Sequence, residues 1–176
     1  MNQEAIALEP EVKQYTLSIL VRNHAGVLSH VAGLFTRRGY NIESISAGVT
    51  ENSDITRITI VVSGDKRIVE QVVKQCRKLV DVIQVSSLKY NEAVTRELAL
   101  IVVKADLENR SKIIEVADIF DAKIVDMAED SLLLEVTGNI RKINSIIHLL
   151  TPFGIVEIGR TGMVALKTRS SIPALH

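Results

Sequence analysis

One hydrophobic rhythm, run through twice, limits what this chain can fold into more than any other feature. Period-two and period-3.6 stretches follow one another as strand, helix, strand, strand, helix, strand, and the order then starts again. Residues 15–21 alternate, with Leu17, Ile19 and Val21 on one side and Thr16 and Ser18 on the other, as in a half-buried strand. A polar loop, residues 22–26, follows. Val27, Val31, Leu34 and Phe35 then recur at helical spacing, and Gly39 stands where a glycine ends a helix. Residues 41–49 read as a second strand anchored by Ile42 and Ile45. After a turn at 51–54, residues 55–62 read as a third strand, with Ile58, Ile60 and Val62 on one face. Val69, Val72, Val73, Cys76 and Leu79 form the stripe of a second helix, and residues 82–88 a fourth strand.

A short polar connection at 89–92 leads into the second round. Residues 98–103 are a strongly apolar strand, and Ile113, Val116, Ala117 and Phe120 a helical stripe. Residues 122–127 and 131–137 are strands joined at Glu129–Asp130. Ile140, Ile143, Ile147 and Leu150 make another stripe, broken by 151–154, and residues 155–158 are the last strand. The expected fold is α+β: two tandem ferredoxin-like βαββαβ sandwiches, each a four-stranded antiparallel sheet with two helices on one face. The expected domains are 14–89 and 95–167. The repeat is one of architecture, with little residue identity between the halves.

Composition narrows the function. Lys plus Arg equals Asp plus Glu, 21 of each, so no net basic field draws nucleic acid or an anionic membrane. The single cysteine, Cys76, allows no intrachain disulfide, and its place on an apolar stripe marks it as a buried structural thiol. His24, His30, His148 and His176 are scattered, with no metal-site spacing. Residues 1–14 show neither a secretory nor a transit pattern, and the tail 168–176 is expected to fray. The expected location is cytoplasmic, or the plastid stroma if the gene belongs to an organelle.

No phosphate-binding glycine pattern, dinucleotide fingerprint or nucleophile elbow is present. Asp81, Asp106, Asp118, Asp121 and Asp126 show no catalytic pairing and read as solvated, as does His30. No catalytic residue and no metal ligand is assigned. The 23–26 loop holds the chemistry that remains. Gly26 permits a positive φ or close approach, and the helix after it begins with unpaired N–H groups that suit a carboxylate. Asn23 offers both donors and an acceptor to a zwitterion. The residues alone leave a second reading open: Asn23 and Gly26 shape the turn and cap the helix. Asn41 carries the same ambiguity.

At these residues the chain resembles a known family. Asn23-His24-Ala25-Gly26-Val27-Leu28 is similar to the first-loop signature of ACT domains, modules that bind amino acids. Gly39-Tyr40-Asn41-Ile42-Glu43-Ser44 resembles the acetolactate synthase small subunit in particular. Further segments agree: Arg57-Ile58-Thr59-Ile60, Lys78-Leu79-Val80-Asp81-Val82, Arg96-Glu97-Leu98, Phe153-Gly154-Ile155-Val156-Glu157 and Arg160-Thr161-Gly162. The resemblance spans residues 15–166. It implies an ACT domain at 14–89 and the family's carboxy-terminal domain at 95–167. It also implies a homodimer through paired ACT sheets. The effector site would lie at that interface, with Asn23, His24, Ala25, Gly26, Val27 and Leu28 from one chain and Asn41 and Ile42 from the other. The implied effector is valine or another branched-chain amino acid. The implied partner is a catalytic large subunit carrying thiamine diphosphate, Mg and FAD, which leaves this chain a non-enzyme without cofactors. His30 departs from the arginine more usual in this family, and Gly159 from alanine.

Three rivals are weaker. An RNA-recognition module shares the element order but stacks bases on strand aromatics. Here the outward positions are Thr16, Ser18, Arg57 and Thr59, and aromatics make up 3% of the chain. Another ACT-type sensor would need a DNA-binding or catalytic segment for which no residues remain. A small stand-alone enzyme would turn over pyruvate by itself.

Overall fold

In the computed structural model, which describes residues 13–168, the chain divides into two compact units with the break between Glu92 and Ala93. Residues 1–12 and 169–176, discussed above for leader patterns and as a fraying tail, lie outside the described residues.

The first unit runs β1 (Lys13–Arg22), α1 (Val27–Arg37), β2 (Ile42–Val49), β3 (Ile55–Gly64), α2 (Lys66–Cys76) and β4 (Val82–Leu88). Its antiparallel sheet has the order β2-β3-β1-β4. The register sets Leu17 beside Ile60 and Ile19 beside Ile58, so the alternating sequences build one apolar face. Val31 and Phe35 of α1 and Val72 and Cys76 of α2 close over it, all fully buried. Helices of 11 residues are marginal alone, so this burial holds them, at about 1.5–3 kcal/mol per large side chain.

Gly39 ends α1 in the left-handed region, at φ 69. Its N–H donates to the Thr36 carbonyl and that of Tyr40 to the Phe35 carbonyl. The rings of Phe35 and Tyr40 meet edge to face, 6.5 Å apart, which supplies the apolar contact of a Schellman stop. The second helix stops at Cys76, and Leu79 falls in the turns after it rather than on its stripe.

One expectation about this sheet is corrected and one is sharpened. Ile45 is 36% exposed and is no anchor, because β2 is an edge strand. Ser18 and Thr59 lie on the face away from the core, as expected, but are buried there rather than solvated. The Arg57 guanidinium lies across to Ser18 and donates to its Oγ at 2.8 Å.

The second unit runs β5 (Ala93–Lys104), α3 (Arg110–Ile119), β6 (Lys123–Met127), β7 (Ser131–Gly138), α4 (Ile140–Leu150), β8 (Ile155–Arg160) and β9 (Val164–Lys167). Ile101, Val103, Leu132, Leu134 and Val136 face Ile113, Ala117, Ile143, Ile146 and Leu150 in a separate core. The sheet order is β6-β7-β5-β8, and β9 is a fifth strand paired with the start of β5. A four-stranded sheet was expected. The difference arises because β5 begins at Ala93, well before Leu98, so Ala93–Arg96 reach beyond β8 and pair with Val164–Lys167. Leu98 N–H donates to Thr161 Oγ1 where β8 gives way to β9.

At the same place Arg160 grips Glu97 through two bonds of 2.8 Å. Glu97 is buried in a sheet, so this bidentate pair is what makes its charge tolerable.

Candidate functional site

The 23–26 loop is fixed at its start by backbone bonds to two neighbouring turns. Arg22 N–H donates to the Asp81 carbonyl at 2.9 Å and Asn23 N–H to the Asp54 carbonyl at 2.7 Å. The Asn23 amide donates from Nδ2 to the Ser53 carbonyl at 2.8 Å. Among the described residues no hydrogen bond engages the Oδ1 of this exposed side chain, which leaves it as an acceptor. Turn shaping and ligand contact are thus compatible in one side chain, because they use different atoms.

Gly26 occupies the N-cap position of α1 at φ 87, with no side chain to satisfy the first N–H groups. No acidic residue stands in the first turn. Val27 N–H turns back to the His24 carbonyl at 3.3 Å, and the Leu28 and Ser29 N–H groups remain at the positive end of α1 as a seat for a carboxylate. Leu28 is 43% exposed beside it, whereas the Val27 side chain is buried in the core and offers nothing to a ligand. Asn23, His24, Ala25 and Gly26 are all exposed.

Asp81, read above as a solvated carboxylate, is instead the hub of a cluster. His24 Nε2 lies 2.8 Å from its Oδ1, and His30 Nδ1 lies 3.3 Å from its Oδ2. His24 Nδ1 also meets the Ala25 carbonyl at 2.9 Å. The hydrogen bond to Asp81, with a smaller push from Ala25, raises the His24 pKa above the ordinary histidine value. The bonds from His24 and then His30 hold the Asp81 carboxyl below the usual carboxylate range. Nothing local in the sequence announces this cluster, since Asp81 arrives from the connection before β4.

The second half of the expected site sits elsewhere. Asn41 donates from Nδ2 to Glu43 Oε1 at 2.6 Å, and Glu43 also accepts from Ser63 Oγ at 3.0 Å. Ile42 pairs with Val62, which pairs with Tyr15 at the start of β1. The 23–26 loop follows Arg22 at the other end of β1. Tyr15 and Arg22 are separated by seven steps of about 3.3 Å, or roughly 23 Å. One chain does not bring the two halves together.

Elsewhere the chemistry is sparse. Cys76 is buried, and burial pushes its thiol up to about 11, away from thiolate reactivity. Among the described residues, no group of three or more His, Cys, Asp or Glu is placed to hold a metal ion. No described helix is long and apolar enough to cross a membrane. A groove of about 560 Å³ runs beside α2 and β4, with Tyr15, Val69, Val73 and Leu88 in it and Lys74 and Arg77 among its cations. It shares no residue with the 23–28 segment.

Comparison with known proteins bears on both units. A family model described as the AHAS small subunit-like ACT domain matches residues 17–84, and one described as the small subunit of acetolactate synthase matches residues 96–169. A protein of Archaeoglobus fulgidus named "Probable acetolactate synthase small subunit" is 50% identical over 153 residues, covering 87% of this chain and 96% of the relative. The acetolactate synthase small subunit of Mycobacterium bovis is 47% identical over 155 residues, covering 88% and 92%. The crystal structure of the acetolactate synthase small subunit of Thermotoga maritima superposes with a TM-score of 0.82 at 39% identity, covering 89% of this chain and 98% of that one. With both units matched by these models and nearly the whole length shared with these relatives, the chain belongs to the acetolactate synthase small-subunit family.

Proposed function

We propose that this chain is a non-catalytic regulatory subunit. In this reading it activates a catalytic acetolactate synthase large subunit and makes it subject to feedback inhibition by a branched-chain amino acid, valine first. Thiamine diphosphate, Mg and FAD belong to the large subunit, and the complex works in the cytoplasm. The effector's carboxylate rests on the uncapped start of α1, and its ammonium faces Asn23 Oδ1.

The observation that carries the reading is the separation of the two half-sites within one chain. An edge strand offers its unpaired backbone groups to a second copy. Here β2 is that edge, with Ile45 at 36% and Val49 at 59% exposure. Antiparallel pairing of two β2 edges about a twofold axis sets Ile42 of one protomer near Val49 of its partner. Val49 pairs with Thr56 and Thr56 with Val21, at the loop end of the sheet. The dimer therefore brings Asn41 and Ile42 of one protomer to the side of the sheet that carries the partner's 23–28 segment.

A ligand held between two chains can change how they sit against each other. It regulates only insofar as it binds one arrangement more tightly than the other. A coupling of about 1–3 kcal/mol corresponds to a 5- to 150-fold effect. The test is reconstitution with the large subunit and titration of valine, leucine and isoleucine. The expected result is higher pyruvate turnover on adding this chain, inhibition by at least one of the three, and no turnover by this chain alone. Reconstituted activity indifferent to all three amino acids overturns the reading.

A further inference from the structure

We infer that Asp81 is a positioning residue for the effector loop: it holds the His24 imidazolium, so that loop shape and effector affinity follow the protonation of that ring. The inference rests on the reading of the 23–28 segment as the effector site and assigns that site a pH-dependent control.

The argument starts from hydrogen-bond chemistry. His24 Nε2 faces a carboxylate oxygen at 2.8 Å, and Nδ1 faces the Ala25 carbonyl oxygen at 2.9 Å. Both partners are acceptors. A neutral imidazole has one donor nitrogen, so only the doubly protonated ring makes both bonds. The ring thereby joins Asp81, on the connection before β4, to the backbone of the turn that ends in Gly26. The Arg22 N–H bond to the Asp81 carbonyl ties the same connection to the last residue of β1. Asp81 is thus attached to the loop at two points, and the link that runs on through the ring to Ala25 needs both ring protons.

The charged neighbours settle the direction. Asp81 favours the His24 cation, and Arg22, from the end of β1, opposes it weakly. His30, from α1, shares the carboxylate through its other oxygen. Because the His24 pKa is raised, the clamp is complete at and below the ordinary histidine range and is lost as pH rises through the raised value. Deprotonation also removes a positive charge beside the seat for the effector's carboxylate. Both effects weaken effector binding on the alkaline side.

The test uses the full chain, with L-valine as probe and the amide resonances of Ala25 and Gly26 as an effector-free readout. In the native protein, the two amides are expected to titrate together with the His24 ring, at a pH above the ordinary histidine range. Valine affinity should fall by about fivefold or more across that titration, the low end of an ordinary coupling. In Asp81→Asn the amides no longer follow the ring and the affinity is weak at every pH, while Asp81→Glu recovers part of the slope. A purely structural Asp81 would lower affinity without flattening the profile. Amides indifferent to the His24 titration, or equal slopes in the native protein and Asp81→Asn, overturn the inference. If the native protein takes up no valine, the proposed effector is wrong, and the amide titration still decides whether the proton governs the loop.

Discussion

Asn23 and Asn41 stand at opposite ends of one sheet. Asn23 follows Arg22, which pairs with Ile55, and Asn41 precedes Ile42, which pairs with Val62. The rigidity of a four-stranded sheet keeps them apart, so an amino acid that touches both has to touch two chains. In the proposed reading, affinity for the effector is a property of the dimer.

Gly26 separates conformational strain from charge. A Cβ at this position meets nothing within 4 Å, yet its φ of 87 is unfavourable for any side chain. Gly26→Ala is expected to cost about 1–2 kcal/mol of stability and to leave some effector inhibition. Gly26→Asp places a carboxylate at the uncapped start of α1, where it competes with that of the effector. Inhibition curves of the two variants reconstituted with the large subunit should separate: weakened for Ala, absent for Asp. Full inhibition of Gly26→Asp would place the effector elsewhere.

Glu97 and Arg160 predict an asymmetric stability effect. The Glu97 side chain is 4% exposed and that of Arg160 35%. Arg160→Ala strands a buried carboxylate and should cost about 3 kcal/mol, the low end for a buried pair because water reaches part of the guanidinium. Arg160→Lys recovers little, since an ammonium does not reproduce the two parallel bonds. Replacing both partners by apolar residues of similar volume should cost less than Arg160→Ala alone. Urea unfolding of the three variants gives the order.

Asp121 offers a stabilising change. It ends α3 at φ 47, where glycine is the relaxed residue, and its N–H donates to the Asp118 carbonyl. Its ion pair with Lys142, at 3.8 Å with the Asp121 side chain 93% exposed, contributes little. Asp121→Gly is expected to raise stability by about 1 kcal/mol, read as a rise of a few degrees in Tm.

The core was legible because its signal is local. Leu17, Ile19, Val31, Phe35, Ile58 and Ile60 repeat at periods that fix their face before any partner is known, and all are fully buried. Edges were not, because exposure depends on strand order: Ile45 has the same apolar character as Ile60, its register partner, but lies on the outermost strand. The pairing of β9 with the start of β5 joins residues about seventy positions apart, and Gly159 within β8 and Gly162 after it interrupt the apolar pattern. The loop residues were visible as types without roles. That Asn23 Nδ2 faces Ser53 while Oδ1 stays available, and that Asp81 gathers His24 and His30, depends on turns the sequence brings together only after folding.

Subunit mixing tests the two-chain site most directly. Asn23→Ala and Asn41→Ala chains, each alone, give dimers in which both sites lack one amide, and each is expected to bind valine poorly. Exchanged with one another, they form mixed dimers in which one site lacks both amides and the other is intact. Random exchange should restore high-affinity binding at about a quarter of all sites. That recovery, measured by calorimetric titration of the mixture against its unmixed parents, is the predicted result. A mixture that binds no better than its parents contradicts the account.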